Sequence, residues 1–203
     1  DIRGVVGENI NENTAYTIGR TFGHTVKSKL TSHTIVTGYD GRLTSPSLHK
    51  ALCEGLKDSG VKVINIGMGP TPMTYFAHYH FEADAAVMLT GSHNPSEYNG
   101  FKMVFNKHSF FAEDIQSLQK LLDNNVLELA DGQIIEQNIT KEYIERDLLN
   151  ISLNRKLKVA WDPGNGAMGK VIRKITEKLF NSENIIINEE VDGNFPNHHP
   201  DPT

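Results

Sequence analysis

The sequence predicts an α/β fold: a mixed, mostly parallel sheet between layers of helices, followed by the beginning of a second, similar α/β unit. Three observations carry this expectation. Short apolar runs alternate with amphipathic helical stripes along most of the 203 residues, the order that builds βαβ units. The run Ala83 to Leu89 is continuous rather than alternating in hydrophobicity, as a strand covered on both faces must be. Late in the chain, Leu157–Trp161 and the helical stripe after it start the same pattern again.

Taken in order, Ile18, Phe22, Val26 and Leu30 recur at one helical face with Ala15 a turn earlier, so a helix is expected from about Asn13. Thr34–Tyr39 reads as a strand closed by the Asp40-Gly41 turn. Ser45-Pro46 reads as an N-cap followed by proline at the first helical position. Leu48, Ala51, Leu52, Gly55 and Leu56 then mark one helix face, with Gly60 as a C-terminal cap. Val61 to Ile66 is a second strand, and Gly67 to Pro72 a loop leading to a short helix through Tyr75, Phe76 and Tyr79. Ala83–Leu89 is a third strand and Gly100–Phe105 a fourth. The connection between these two is too short for a crossover helix, so the fourth strand need not run parallel. Ile115, Leu118, Leu121 and Leu122 mark another helix. Residues Asn125 to Asn138 lack strong periodicity, and Thr140–Leu149 reads as a connecting helix. The second unit opens with strand Leu157–Trp161, the turn Asp162–Gly166, a helix from Met168 to Leu179 and a strand at Ile185–Ile187. The expected division is therefore 1–138, a connector 139–156, and the start of a second domain at 157–203.

Bulk properties narrow the function classes. Hydrophobic residues make up 38% and charged residues 22% of the chain, as in an ordinary water-soluble domain. A formal net charge of −5 gives no reason to expect a nucleic-acid or anionic-membrane partner. The one cysteine, Cys53, excludes an intrachain disulfide and a cysteine-built metal site, and its place on an apolar helix face suggests a buried, unreactive thiol. No apolar run is long enough for a membrane helix and no signal-peptide pattern opens the chain, so a cytoplasmic location is the default expectation.

Chemistry concentrates in Thr90-Gly91-Ser92-His93-Asn94-Pro95, followed by Ser96-Glu97-Tyr98-Asn99-Gly100-Phe101-Lys102. Loops at the ends of buried strands are where a rigid scaffold presents reactive groups. A serine hydroxyl there, with a lysine on the next strand, suits phosphoryl chemistry, because an ammonium holds phosphate oxygens as a point charge. The hydrolase nucleophile elbow is absent, since Gly91 directly precedes Ser92 and Asn94 stands where its second glycine belongs. A Ser92–His93 dyad is disfavoured because adjacent side chains do not face each other. On the residues alone, a plain turn capped by Ser92 or Asn94 stands beside the phosphoryl reading.

These segments resemble the active-site serine loop of the alpha-D-phosphohexomutases, the superfamily of phosphoglucomutases and phosphomannomutases. Asp1-Ile2-Arg3-Gly4, Gly38-Tyr39-Asp40-Gly41-Arg42 and Asp192-Gly193-Asn194-Phe195-Pro196 fit the same family in the same order. Tyr-Asn-Gly-Phe-Lys-Met is most similar to the bacterial phosphomannomutase/phosphoglucomutase branch; phosphoglucosamine mutases tend to carry Asp-Asn-Gly-Ile-Lys there. The resemblance implies an isomerase that interconverts hexose 1- and 6-phosphates of mannose or glucose. It would work through a phosphate on Ser92, a hexose 1,6-bisphosphate intermediate and Mg²⁺. It also implies catalytic roles for Ser92, His93, Lys102 and Arg3: Lys102 steadies the phosphoryl group, Arg3 offers a guanidinium fork to phosphate oxygens, and His93 assists proton transfer at the sugar hydroxyl, although an orienting or structural role explains His93 about as well. Asn94 and Arg42 are expected to bind substrate or phosphate, although turn and salt-bridge duties explain Arg42 about as well. Ser92, through its phosphate, is the one expected Mg²⁺ ligand.

Other patterns carry less. Asp162-Pro163-Gly164-Asn165-Gly166-Ala167-Met168-Gly169 matches neither the dinucleotide fingerprint nor the P-loop spacing, so a tight βα turn is the better reading. His198-His199 and His78-x-His80 lack companion ligands, and Mg²⁺ prefers oxygen. The family's Asp-Gly-Asp-x-Asp-Arg metal loop, its sugar-reading segment and its C-terminal phosphate loop do not occur among the 203 residues. With an abrupt start at Asp1 and end at Thr203, the chain reads as an N-terminal fragment, the missing carboxylate ligands lying beyond Thr203 and the fragment alone being inactive. The alternatives are a phosphoglucosamine mutase and a non-catalytic sugar-phosphate-binding homologue.

Overall fold

The computed structural model describes residues 1–124, 127–179 and 181–201; Asn125, at the start of the aperiodic stretch, and Pro202–Thr203 lie outside the described residues. In chain order the elements are β1 (Ile2–Val5), α1 (Glu12–Lys29), β2 (Thr34–Tyr39), α2 (Ser45–Asp58), β3 (Lys62–Met68), α3 (Thr71–His80), β4 (Ala85–Leu89), β5 (Tyr98–Phe105), β6 (His108–Phe110), α4 (Glu113–Asp123), β7 (Gln133–Glu136), α5 (Thr140–Leu148), β8 (Leu157–Trp161), α6 (Gly169–Thr176) and β9 (Ser182–Ile186). Helix α1 begins earlier than expected because Asn11, not Asn13, is its cap: the Asn11 carboxamide oxygen accepts from the Thr14 amide at 2.9 Å. In α2 the cap position falls on Thr44, and Ser45 sits inside the first turn, where its hydroxyl donates to the Asp40 carboxylate at 2.6 Å.

A seven-stranded mixed sheet has the order β1-β5-β4-β2-β3-β7, with β6 beside β5. Strands β4, β2, β3 and β7 run parallel, while β5 lies antiparallel to both β4 and β1. The short Ser92 connection thus turns the chain back on itself, as its length required. Strands β1, β6 and β7 were not anticipated. β1 and β7 are four-residue edge strands in which arginine, glycine, glutamine and glutamate interrupt the apolar signal, and β6 is a three-residue return after the Asn106-Lys107 turn. A separate parallel pair, β8-β9, opens the second unit.

Two apolar clusters sandwich the large sheet. One side packs Phe22, Val26, Leu52 and Leu56 of α1 and α2 onto Val63, Val87 and Phe101. The other gathers Val36, Ile64 and Ala86 with Met73 and Ala77 of α3 and Tyr143 and Ile144 of α5, and it takes in Val171 and Ile175 of α6. Full burial of such side chains stabilises by about 1.5–3 kcal/mol each. This second cluster therefore holds the two units together. Among the described residues no helix is long and apolar enough to cross a membrane.

Candidate active site

Parallel strands β2, β3 and β4 deliver the loops at Asp40, Gly69 and Thr90 to one edge of the sheet, the edge where α/β folds bind ligands. Across from it, the loop after β8 brings Asp162 to Met168. Between them lies a cleft of about 360 Å³, lined among others by Asp40, Ser92, His93, Asp162, Phe195 and His198.

The Ser92 loop has a non-random shape. Ser92 adopts φ +56°, a left-handed conformation uncommon for a residue with a side chain. Its amide donates to the Thr90 hydroxyl at 2.9 Å, and the Gly91 amide donates to the Asp40 carboxylate at 3.2 Å. Beneath the loop lies Arg42, its side chain fully buried. The guanidinium Nε donates to Asp40 at 3.1 Å; Nη1 donates to the carbonyls of Pro95 and, at 3.1 Å, Tyr98; Nη2 donates to those of Ser92 at 3.0 Å and Asn94 at 2.7 Å. Gly91 makes room for this, since a Cβ there would fall 2.3 Å from the guanidinium carbon.

This geometry gives Arg42 the turn and salt-bridge duties that stood beside phosphate binding. A guanidinium has five N–H donors, and here all are engaged by the protein. Asn94 also works within the loop, its side-chain amide donating to the Gly91 carbonyl at 2.9 Å. Ser92 and His93 do reach the cleft.

Arg3 and Lys102 come together on neighbouring strands rather than on the cleft wall. In the β1–β5 register Arg3 lies opposite Gly100, so it shares a sheet face with Lys102. Both contact the Asp1 carboxylate, Lys102 at 2.7 Å and Arg3 at 3.1 Å. Partial burial, and then the Arg3 guanidinium, pull the Lys102 ammonium below its ordinary pKa. Arg3 is lowered first by burial, against the field of Asp40, which puts Arg3 within electrostatic reach of the Ser92 loop's base. Two cations forced close together make a place for an anion.

Two cleft residues were missed as partners. His198 Nε2 meets the Asp162 carboxylate at 3.1 Å, and its Nδ1 meets the His199 carbonyl at 2.7 Å. Those acceptors raise the His198 pKa, the His199 carbonyl foremost, while the Gly164 amide leads in lowering Asp162. The strand-turn-helix pattern around Asp162 was visible, but nothing local linked it to a histidine 36 residues on. Cys53 is buried and its thiol is pushed up to about 12 by that burial, as its helix face suggested. Among the described residues no group of three or more His, Cys, Asp or Glu side chains could hold a metal ion. The donor set does not by itself fit Mg²⁺.

Comparison with known proteins gives a consistent result. Residues 1–127 match the model of phosphoglucomutase/phosphomannomutase alpha/beta/alpha domain I, and residues 140–203 that of domain II. The chain is 45% identical over 202 residues to a phosphomannomutase/phosphoglucomutase of Pseudomonas putida, covering all of this chain and 43% of that protein. It is 40% identical over 205 residues to a phosphoglucomutase of Neisseria gonorrhoeae, covering 44% of it. The structure superposes on that of a phosphoglucomutase/phosphomannomutase family protein from Burkholderia thailandensis with a TM-score of 0.92 at 38% identity, over all of this chain and 45% of the other. The chain spans less than half the length of these relatives.

Proposed function

The chain belongs to the phosphoglucomutase/phosphomannomutase family, and from that premise we propose that the whole protein interconverts hexose 1- and 6-phosphates, of mannose or glucose, with Ser92 as the phosphate carrier. The observation that carries the reading is the Ser92 loop: a serine hydroxyl held at φ +56° on the wall of a cleft at the C-terminal edge of a parallel sheet. In the proposed reaction a sugar hydroxyl oxygen attacks phosphorus on Ser92, the bond from phosphorus to the serine oxygen breaks, and the hydroxyl proton passes to the serine oxygen overall. His93 is the group proposed to move that proton. The bisphosphate sugar so formed returns its other phosphate to Ser92 by the same exchange. Lys102 and Arg3 are proposed to hold phosphate oxygens, exchanging their Asp1 contact for the substrate anion.

Mg²⁺ is proposed as the cofactor of the whole protein, neutralising phosphate charge when bound, with the Ser92 phosphate as this chain's ligand for it. The test is turnover of mannose 1-phosphate by the whole protein with glucose 1,6-bisphosphate and Mg²⁺. Ser92→Ala should lose nearly all activity, and an unimpaired variant would remove Ser92 from the mechanism. A parallel run with glucosamine 1-phosphate separates this reading from its nearest relative.

A further inference from the structure

We propose that Phe195 is a positioning residue for the Ser92 loop, acting through Arg42, so that the second unit governs the shape of the loop on the first. The inference rests on the reading of Ser92 as phosphate carrier, and its geometry stands independently. All the N–H edges of the Arg42 guanidinium are taken by Asp40 and the loop carbonyls, which leaves its flat faces to be steadied. The guanidinium carbon sits over the Phe195 ring, 5.2 Å from its centroid. A cation over an aromatic face is held by the ring's quadrupole, a guanidinium more often than an ammonium.

The ring is delivered by a stiff turn. Phe195 itself is at φ +52°, its amide donating to the Asp192 carbonyl at 3.0 Å. The Asn194 amide donates to the Asp192 carboxylate at 2.9 Å. Gly193 lets this turn touch the first unit's backbone: a Cβ there would stand 2.5 Å from the Leu43 nitrogen and 2.8 Å from the Arg42 Cα. The turn is tied in turn to the second unit, because the Asp192 amide donates to the Asn165 carbonyl at 3.0 Å and Asn165 donates to Asn188 at 2.8 Å. A continuous run of contacts therefore leads from the end of β8 through Asn165, Phe195 and Arg42 to the Ser92 carbonyl. A left-handed serine persists only where its surroundings over-determine it, and removing the ring frees one of those constraints.

Hydrogen exchange by NMR on this chain tests the coupling, with kinetics on the whole protein beside it. In Phe195→Ala the amides of Gly91, Ser92, Asn94 and Tyr98 should exchange about tenfold faster, while amides inside α1 keep their rates. The whole protein carrying Phe195→Ala should lose about tenfold in kcat with KM nearly unchanged, because the loop's position suffers and not substrate capture. Phe195→Tyr should restore both. Phe195→Leu keeps apolar bulk without the ring and carries the test if the alanine variant unsettles the second unit; it should resemble Phe195→Ala. Loop exchange unchanged in the leucine variant, or a rise spread evenly across both units, overturns the proposal. Loop amides that respond in a protein lacking Ser92-dependent turnover would keep the coupling and remove the mutase reading instead.

Discussion

Replacing Arg42 by lysine keeps the charge and removes the fork. The lysine nitrogen offers three donors from one point, whereas the acceptors around Arg42 are the Asp40 carboxylate and four carbonyls spread along the loop from Ser92 to Tyr98. At least two of those acceptors lose their partner. Each buried acceptor left unsatisfied costs about 1–3 kcal/mol, and loss of the Phe195 contact adds about 0.5–2 kcal/mol. Pro95 is exposed and Asn94 half-buried, so water recovers part of this, and the net expectation is about 3 kcal/mol. For a chain of this length that corresponds to a melting temperature lower by about 6–12 °C. Calorimetry on Arg42→Lys measures it directly. A midpoint within about 2 °C of the parent would refute the claim that the guanidinium geometry, rather than its charge, holds the loop.

Four further outcomes are expected. Burial depresses the His49 pKa to about 4, below its unfolded value near ~6.5. The unfolded chain therefore binds the proton first, and stability, complete above pH ~6.5, falls by about 3 kcal/mol as pH drops to 4; urea unfolding of His49→Gln should lack this component, and an identical pH dependence would exclude it. The His198 ring should titrate above the ordinary imidazole value by NMR, and Asp162→Asn should lower it; a ring indifferent to that change is not paired as described. Amides in β8 and β9, whose residues are nowhere fully buried, should exchange faster than those of β2 and β4, and calorimetry on this chain should detect no tight Mg²⁺ binding. Slower exchange in β8 and β9, or a tight site, would contradict this account.

Much of the scaffold was legible because its signals are local. Thr34–Tyr39 and Leu157–Trp161 form strands with the bounds their apolar runs suggested, and α1 follows the Ile18–Phe22–Val26 stripe. β7 was not legible, because Gln133-Ile-Ile-Glu becomes a strand by pairing with Lys62–Asn65, a partner far away in the chain. The Ser92 loop stood out through its glycine and proline punctuation. The direction taken by Arg42 did not, since arginine beside a turn is ordinarily solvated and only the return of Tyr98 beneath the loop explains why it is buried. The His198–Asp162 and Phe195–Arg42 contacts were hidden for the same reason: each joins segments that periodicity cannot relate.

The clamp has a kinetic consequence for how the Ser92 loop takes shape. Arg42 is bonded to partners 50 to 56 positions later in the chain. Those partners come within reach only after β2 and β4 have paired and β5 has folded back, and such distant closures are slow relative to helix formation. In refolding followed by pulsed hydrogen exchange, protection of the Ser92 loop amides should therefore appear after that of β2 and β4.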